Sequence, residues 1–183
     1  NVLAGTYGNG IKRSTDNGIT WNQSGFDFQS IWCLGIYGNN IYAGAQQDLH
    51  VSTNNGQTWA PTFLNNQTFS VAFNGNNVYA GTGTGLYIST NSGNSWSQTP
   101  LYNVEIHAIT LSGNNIIAGT YFPNRTGIHV STDNGSSWLT KNQGFGVLPA
   151  INSLHISGNY IFAGTENYSM WRRVLSEVIQ VQN

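Results

Sequence analysis

The chain has 183 residues, a formal net charge of −1 and only 7% charged residues. That length suits one domain or an array of small units. The charge leaves no basic stripe for a nucleic acid and no acidic block, so a nucleic-acid partner is excluded. Aromatic residues make up 13% of the chain, enough, with regular apolar runs, to offset the entropy of ordering a Gly- and Asn-rich sequence. The single cysteine, Cys33, rules out an internal disulfide and makes a Cys-based metal site implausible. It sits in a column of small residues and reads as a packing residue. No apolar run approaches a membrane span, so no membrane insertion is expected. A neutral surface rich in Asn, Gly and Ser fits a secreted or cell-surface bacterial protein, and a start at Asn1 inside a strand-like segment reads as a processed or trimmed chain.

One segment recurs from the first residue onward. Asn1-Val2-Leu3-Ala4-Gly5-Thr6 returns at Asn40, Asn77, Asn115 and Tyr160, giving spacings of 39, 37, 38 and 45 residues. A second motif keeps phase with it: Ser14-Thr15-Asp16-Asn17-Gly18-Ile19-Thr20-Trp21, with copies beginning at Ser52, Ser89 and Ser131. The expected structure is a tight hairpin turn. Asp16, Asn54, Asn91 and Asp133 accept backbone N–H groups; Gly18, Gly56, Gly93 and Gly135 take the positive-φ position; Trp21, Trp59, Trp96 and Trp138 return into the core. Alternating strands are expected near 30–37, 68–74, 105–111 and 150–156, each followed by a Gly-Asn turn at Gly38, Gly75, Gly113 or Gly158. Along them a bulky column (Leu34, Val71, Ile109, Leu154) alternates with a small one (Cys33, Ser70, Ala108, Ser153), as stacked sheets require. No segment shows a helical period.

Such a repeat predicts an all-β chain: one repeat domain over 1–183, with units near 1–25, 26–62, 63–100, 101–142 and 143–183. The phased Ser-Thr-Asp/Asn-x-Gly-x-Ser/Thr-Trp copies resemble the Asp-box, or BNR, repeat family, distant kin of the sialidase-like propellers. The combination of Ala-Gly-Thr, Asp-Asn-Gly and Gly-Asn-Asn with a terminal Trp171-Arg172-Arg173-Val174-Leu175-Ser176-Glu177 looks most like secreted repeat proteins of Bacteroidetes-type bacteria. The resemblance implies a small β-propeller of about five four-stranded antiparallel blades, with Asp-box turns between the third and fourth strands, away from the usual ligand face. It implies that the Asp-box residues are structural. Two departures stand out. The first unit lacks its innermost strand, and the fifth lacks an Asp-box. The segment 178–181 is expected either to close the ring or to form the fourth strand of the last blade; the short link from Arg173 favours the fourth strand.

The same resemblance implies, for a sialidase, three arginines, a Tyr/Glu pair and an acidic Asp. Here Arg13, Arg125, Arg172 and Arg173 are poorly spaced for that role. Of the seven carboxylates, Asp27, Asp48, Glu105 and Glu166 remain on loops where a hydrolytic pair would have to converge. His50 and His129 occupy equivalent strand positions, and no His pair has metal-ligand spacing, so no metal and no cofactor are expected. Calcium at the turns is disfavoured because two copies carry Asn where a hard cation wants carboxylates.

A binding surface is the stronger reading. Tyr7, Tyr121, Phe122, Arg125 and Glu166 lie on loops between the second and third strands, and Trp32, Phe69, His107 and Asn152 open the innermost strands near the same rim. Aromatics beside amides suit a carbohydrate; the alternative reading is that Trp32 and Phe69 simply plug the channel mouth. The favoured function is a non-catalytic secreted or cell-surface binding or adhesion propeller with a glycan or surface protein as partner, open to assembly with other chains. The alternatives are a glycoside hydrolase and a purely structural repeat of a larger secreted protein.

Overall fold

The computed structural model describes residues 1–27, 29–121 and 126–180. It consists of five antiparallel sheets, each a meander in chain order. The first holds β1 (Val2–Gly5), β2 (Ile11–Ser14) and β3 (Asn22–Gln23). The second holds β4 (Ile31–Tyr37), β5 (Asn40–Ala45), β6 (Leu49–Ser52) and β7 (Ala60–Pro61). The third holds β8 (Thr68–Asn74), β9 (Asn77–Thr82), β10 (Gly85–Ser89) and β11 (Ser97–Tyr102). The fourth holds β12 (Ile106–Ser112), β13 (Asn115–Thr120), β14 (Ile128–Ser131) and β15 (Leu139–Thr140). The fifth holds β16 (Ile151–Ser157), β17 (Tyr160–Thr165) and β18 (Met170–Val174), followed by the helical turn α1 (Leu175–Ile179).

The sheets stack side by side through their inner strands: β4 packs on β8, β8 on β12 and β12 on β16, while β1 stands beside β4. This is the architecture of a small β-propeller. Bulky residues of each inner strand face the preceding sheet, so Val71 and Phe73 fill the space over Gly35, where a Cβ would approach Val71 to 2.6 Å. The second strand of each full blade is buried nearly throughout. Ala43, Ala80, Ala118 and Ala163 are each 0% exposed, because neighbouring sheets press on them from both sides. A fully buried Ile, Leu or Val in this core contributes about 1.5–3 kcal/mol. The Gly of each Ala-Gly-Thr allows the next blade to approach: at Gly81 a Cβ would lie 2.5 Å from the Ile106 carbonyl oxygen. Cys33 packs in the same layer, and burial pushes its thiol up to about 12.

The first sheet lacks an inner strand, as the sequence indicated, and the fifth lacks an outer one. The expectation for the tail needs correction. Residues 178 and 179 do not form a fourth strand; they belong to α1, and Val181 lies outside the described residues. The helical turn wins because it drops Val178 into the core between the fourth and fifth sheets, where it is 0% exposed. The buried Lys141 ammonium then donates to the Gln180 carbonyl at 2.7 Å, and Glu177 pairs with Arg173 at 2.9 Å. So short a segment carries no readable period. Closure by the tail is not observed either: among the described residues β16 and β1 have no packing comparable to that between neighbouring sheets.

Candidate ligand-binding rim

The antiparallel register separates two ends of each sheet. Val2 pairs with Ser14 at one end, where the Asp-box turns leave β2. Inner strands begin and second strands finish at the other end, as in Thr68 opposite Thr82.

At the first end the four turns repeat one hydrogen-bond scheme. Ser14 Oγ accepts from the Gly18 amide (2.8 Å) and donates to Asp16 Oδ1 (2.7 Å), which also accepts the Thr20 amide (2.9 Å). Ser52, Ser89 and Ser131 do the same for Gly56, Gly93 and Gly135. Where Asn54 replaces Asp, its amide donates to Thr58 Oγ1 at 2.8 Å while its Oδ1 still accepts the Thr58 amide; Asn91 does likewise with Ser95. The residue before each Gly is also left-handed (Asn17, Asn55, Ser92 and Asn134, φ 57–60°), which Asn tolerates better than most residues. Trp59 Nε1 donates to Ser24 O and Trp96 Nε1 to Thr62 O, each reaching back to the preceding sheet. Trp138 packs partly buried against the core. Trp21 has no preceding sheet and folds onto its own Gly18 carbonyl, 42% exposed. The carboxylates of Asp16 and Asp133 are fully engaged by their Thr or Ser partners, which hold them down to about 2.

At the second end the nominated residues come together. The pairing of each inner strand shifts register between Ile31 and Cys33, Thr68 and Ser70, Ile106 and Ala108, Ile151 and Ser153. The residue inside each irregularity is Trp32, Phe69, His107 or Asn152. A bulge of this kind breaks strict alternation and re-aims one side chain. Rings then run from blade to blade: Tyr7 to Trp32 (5.9 Å, edge-on), Trp32 to Phe69 (5.8 Å, edge-on), Phe69 to His107 (4.0 Å, stacked) and His107 to Tyr121 (4.2 Å, stacked). Tyr121 Oη donates to Glu166 Oε1 at 3.0 Å, which carries the row to the fifth blade. Asn152 is exposed beyond it. Phe122 and Arg125 lie outside the described residues.

Local hydrogen bonds set these positions. The last residue of Ala-Gly-Thr pins the following loop: Thr6, Thr82, Thr120 and Thr165 donate their hydroxyls to the carbonyls of Gly10, Gly85, Gly127 and Ser169. The second blade has Ala45 at this position, and its loop is held instead by Asp48, a buried carboxylate accepting the amides of Leu49, Phe63 and Asn65. Asp48 is thereby committed to structure. The Tyr121 amide donates to the Glu105 carbonyl (2.9 Å), which brings its ring beside His107. His107 Nε2 lies 3.2 Å from Glu105 Oε2. Burial between two rings holds this imidazole below its usual range, against the pull of the Glu105 carboxylate.

The row has two characters. Around His107 the rings are closed face to face. Toward Tyr7 they are open: Tyr7 is 82% exposed and Trp32 40%. Among the described residues the basic side chains do not gather here. Arg13 reaches Asn1 on the first sheet, Arg172 lies over Tyr160, and Arg173 holds Glu177 and Gln143. Among the described residues there is no group of three His, Cys, Asp or Glu able to hold a metal ion, and no helix is long and apolar enough to cross a membrane. His50 and His129 are partly buried beside the outer strands; burial lowers both, His129 to about 4. The bulges were the signal missed in the sequence, since nothing in the strand pattern announces one.

The BNR/Asp-box repeat model matches residues 12–23, the strand and turn of the first copy. Among curated proteins no sequence matches significantly. Solved structures do match. An ancestral GH74 enzyme aligns at 26% identity and TM-score 0.69 over 81% of this chain and 23% of its own. The GH74 enzyme of Niastella koreensis aligns at 17% identity and TM-score 0.74 over 96% and 34%. The extracellular domain of a putative one component system from B. thetaiotaomicron aligns at 18% identity and TM-score 0.71 over 90% and 25%. The chain thus spans about a quarter to a third of these proteins. Together with the repeat they make this a BNR-type β-propeller fold.

Proposed function

We propose that this protein is a non-catalytic binding module, secreted or displayed on a bacterial surface, that takes a glycan on the rim formed by Tyr7, Trp32, Phe69, His107 and Tyr121. The observation that carries the reading is the continuous row of rings across four blades, whose bulge positions carry a different residue in each repeat. Packing explains why the inner part of the row is stacked on itself. It does not explain why Tyr7 and Trp32 are left in solvent, where large rings expose area that water disfavours. A sugar presents one apolar C–H face and a rim of hydroxyls, and it fits exposed rings flanked by a polar group such as Ser30, whose hydroxyl accepts the amide of Gly8 next to Tyr7. The extracellular neighbour from B. thetaiotaomicron supports the setting. A glycan array followed by calorimetry on the hits is the test. Saturable binding that Trp32→Ala and Tyr7→Ala each weaken at least tenfold supports the proposal; an array without hits, or hits indifferent to both changes, overturns it.

A second reading rests on Tyr121 and Glu166. A phenol donating to a carboxylate is an activated nucleophile, and such a Tyr is one known departure from the two-carboxylate scheme of glycoside hydrolysis. Turnover of chromogenic glycosides that Tyr121→Phe abolishes would favour this reading over the first; turnover absent, or unchanged in that variant, would sink it.

A further inference from the structure

The loop 62–67, which joins the second and third sheets, breaks a local rule at Phe63. The chain leaves the outer strands of the first two sheets in the same way: the Ser24 amide donates to the Ile11 carbonyl (2.8 Å) and the Thr62 amide to the Leu49 carbonyl (2.9 Å). Trp59 and Trp96 then reach back to the Ser24 and Thr62 carbonyls. The next residue has a positive φ in both places. After the first sheet it is Gly25 (φ 118°), with no side chain to clash; after the second it is Phe63 (φ 58°). A bulky residue is rare in that region and strained there.

No packing role accounts for the ring. Phe63 is 73% exposed, while its neighbour Leu64, 7% exposed, is the one that enters the core with Tyr42 and Leu49. The conformation is nonetheless imposed. The buried Asp48 carboxylate accepts the amides of Phe63 and Asn65, each at 3.1 Å, and Asn65 is left-handed too (φ 53°). Strained residues persist only where their surroundings over-determine them, and they cluster at ligand clamps and active sites. The loop joins two complete four-stranded sheets, so neither end of the chain explains why this ring stands in solvent.

We infer that Phe63 is an outer platform of the same binding face, stacking on a further sugar of a neutral oligosaccharide whose first sugar lies on the ring row. The inference rests on the glycan reading of the rim. The surface beside the loop supports it. Gly83 ties the loop to the row: a Cβ there would stand 3.9 Å from Phe69 Cε2 and 3.8 Å from Asn66 Oδ1. Asn66 Nδ2 donates to Thr84 Oγ1, which lies 3.3 Å from Tyr87 Oη. Asn65 and Thr84 are exposed. Amides and hydroxyls beside an exposed ring complement the hydroxyl rim and the C–H face of a sugar. None of these side chains is charged, and the Asp48 carboxylate is buried and spent on three amides, so the sugar held here is neutral.

The probe is an array of neutral oligosaccharides one to six sugars long, with calorimetry on the hits for the whole protein and its variants. Wild-type affinity should rise at least tenfold from the monosaccharide to a longer member of the same series. Phe63→Gly and Phe63→Asn should each erase that rise and leave monosaccharide affinity unchanged. Both should also raise the melting temperature by a few degrees, because Gly and Asn accept the left-handed backbone. Phe63→Tyr should keep the rise. Trp32→Ala should weaken ligands of every length, which separates the two sites. A rise with length that survives Phe63→Gly, while Trp32→Ala still weakens binding, would overturn the outer platform and leave the rim standing. A melting temperature lowered by both Phe63→Gly and Phe63→Asn would overturn it by making the ring structural. An array without a hit overturns the platform and the rim together.

Discussion

The two ends of the blades are built on opposite plans. At the Asp-box end four turns repeat one set of hydrogen bonds, with Asp and Asn exchanged without loss of geometry. At the rim, equivalent positions carry Trp32, Phe69, His107 and Asn152, and the bulge that aims them is the shared element. A repeat array needs the same stabilising contact in every unit, so whatever varies at a constant backbone position is released from that duty. The Asp-box end holds the fold, and the rim is where chemistry can differ from blade to blade.

The largest effect should come from the layer between the two ends. Leu86→Ala empties a site that is 0% exposed and should lower unfolding stability by about 2–5 kcal/mol, measured by urea denaturation; a loss below 1 kcal/mol would mean the interior collapses around the gap. Next comes the rim. Trp32→Ala should cut glycan affinity at least tenfold by calorimetry and shift the melting temperature little, and a large melting shift would turn Trp32 into a channel plug. The mirror experiment at the other end is Ser52→Ala, which strands the buried Gly56 amide. It should cost about 1–3 kcal/mol in the same urea assay and leave binding unchanged.

The smallest effect is in the pH dependence. Asp16 and Asp133 sit near 2 in the fold against an ordinary value of 3.8. Folding therefore favours their ionised form, and that contribution is present above about pH 4 and lost as pH falls toward 2. His129, held near 4 instead of 6.5, is kept neutral by the fold. Its share of stability is complete above pH 6.5 and falls away between 6.5 and 4. Melting curves from pH 8 to 2 should decline in two stages, and Asp16→Asn with Asp133→Asn should flatten only the lower one, since Asn54 and Asn91 already build the same turn.

Much of this was legible in the sequence because it is local. The Ser-x-Asp-x-Gly spacing dictates a turn by hydrogen bonds within five residues, and alternation in 68–74 or 106–112 dictates which side chains are buried. The rim residues could be named individually from their places at strand starts and loops. Their assembly into one continuous row could not, because rings from four blades meet only after the sheets have packed. One further matter was decided by tertiary contacts alone. A buried slot for Val178 turned a strand-like Val178-Ile179 into a helical turn. The outcome depends on what stands across a gap from the segment, which neighbours in sequence do not record.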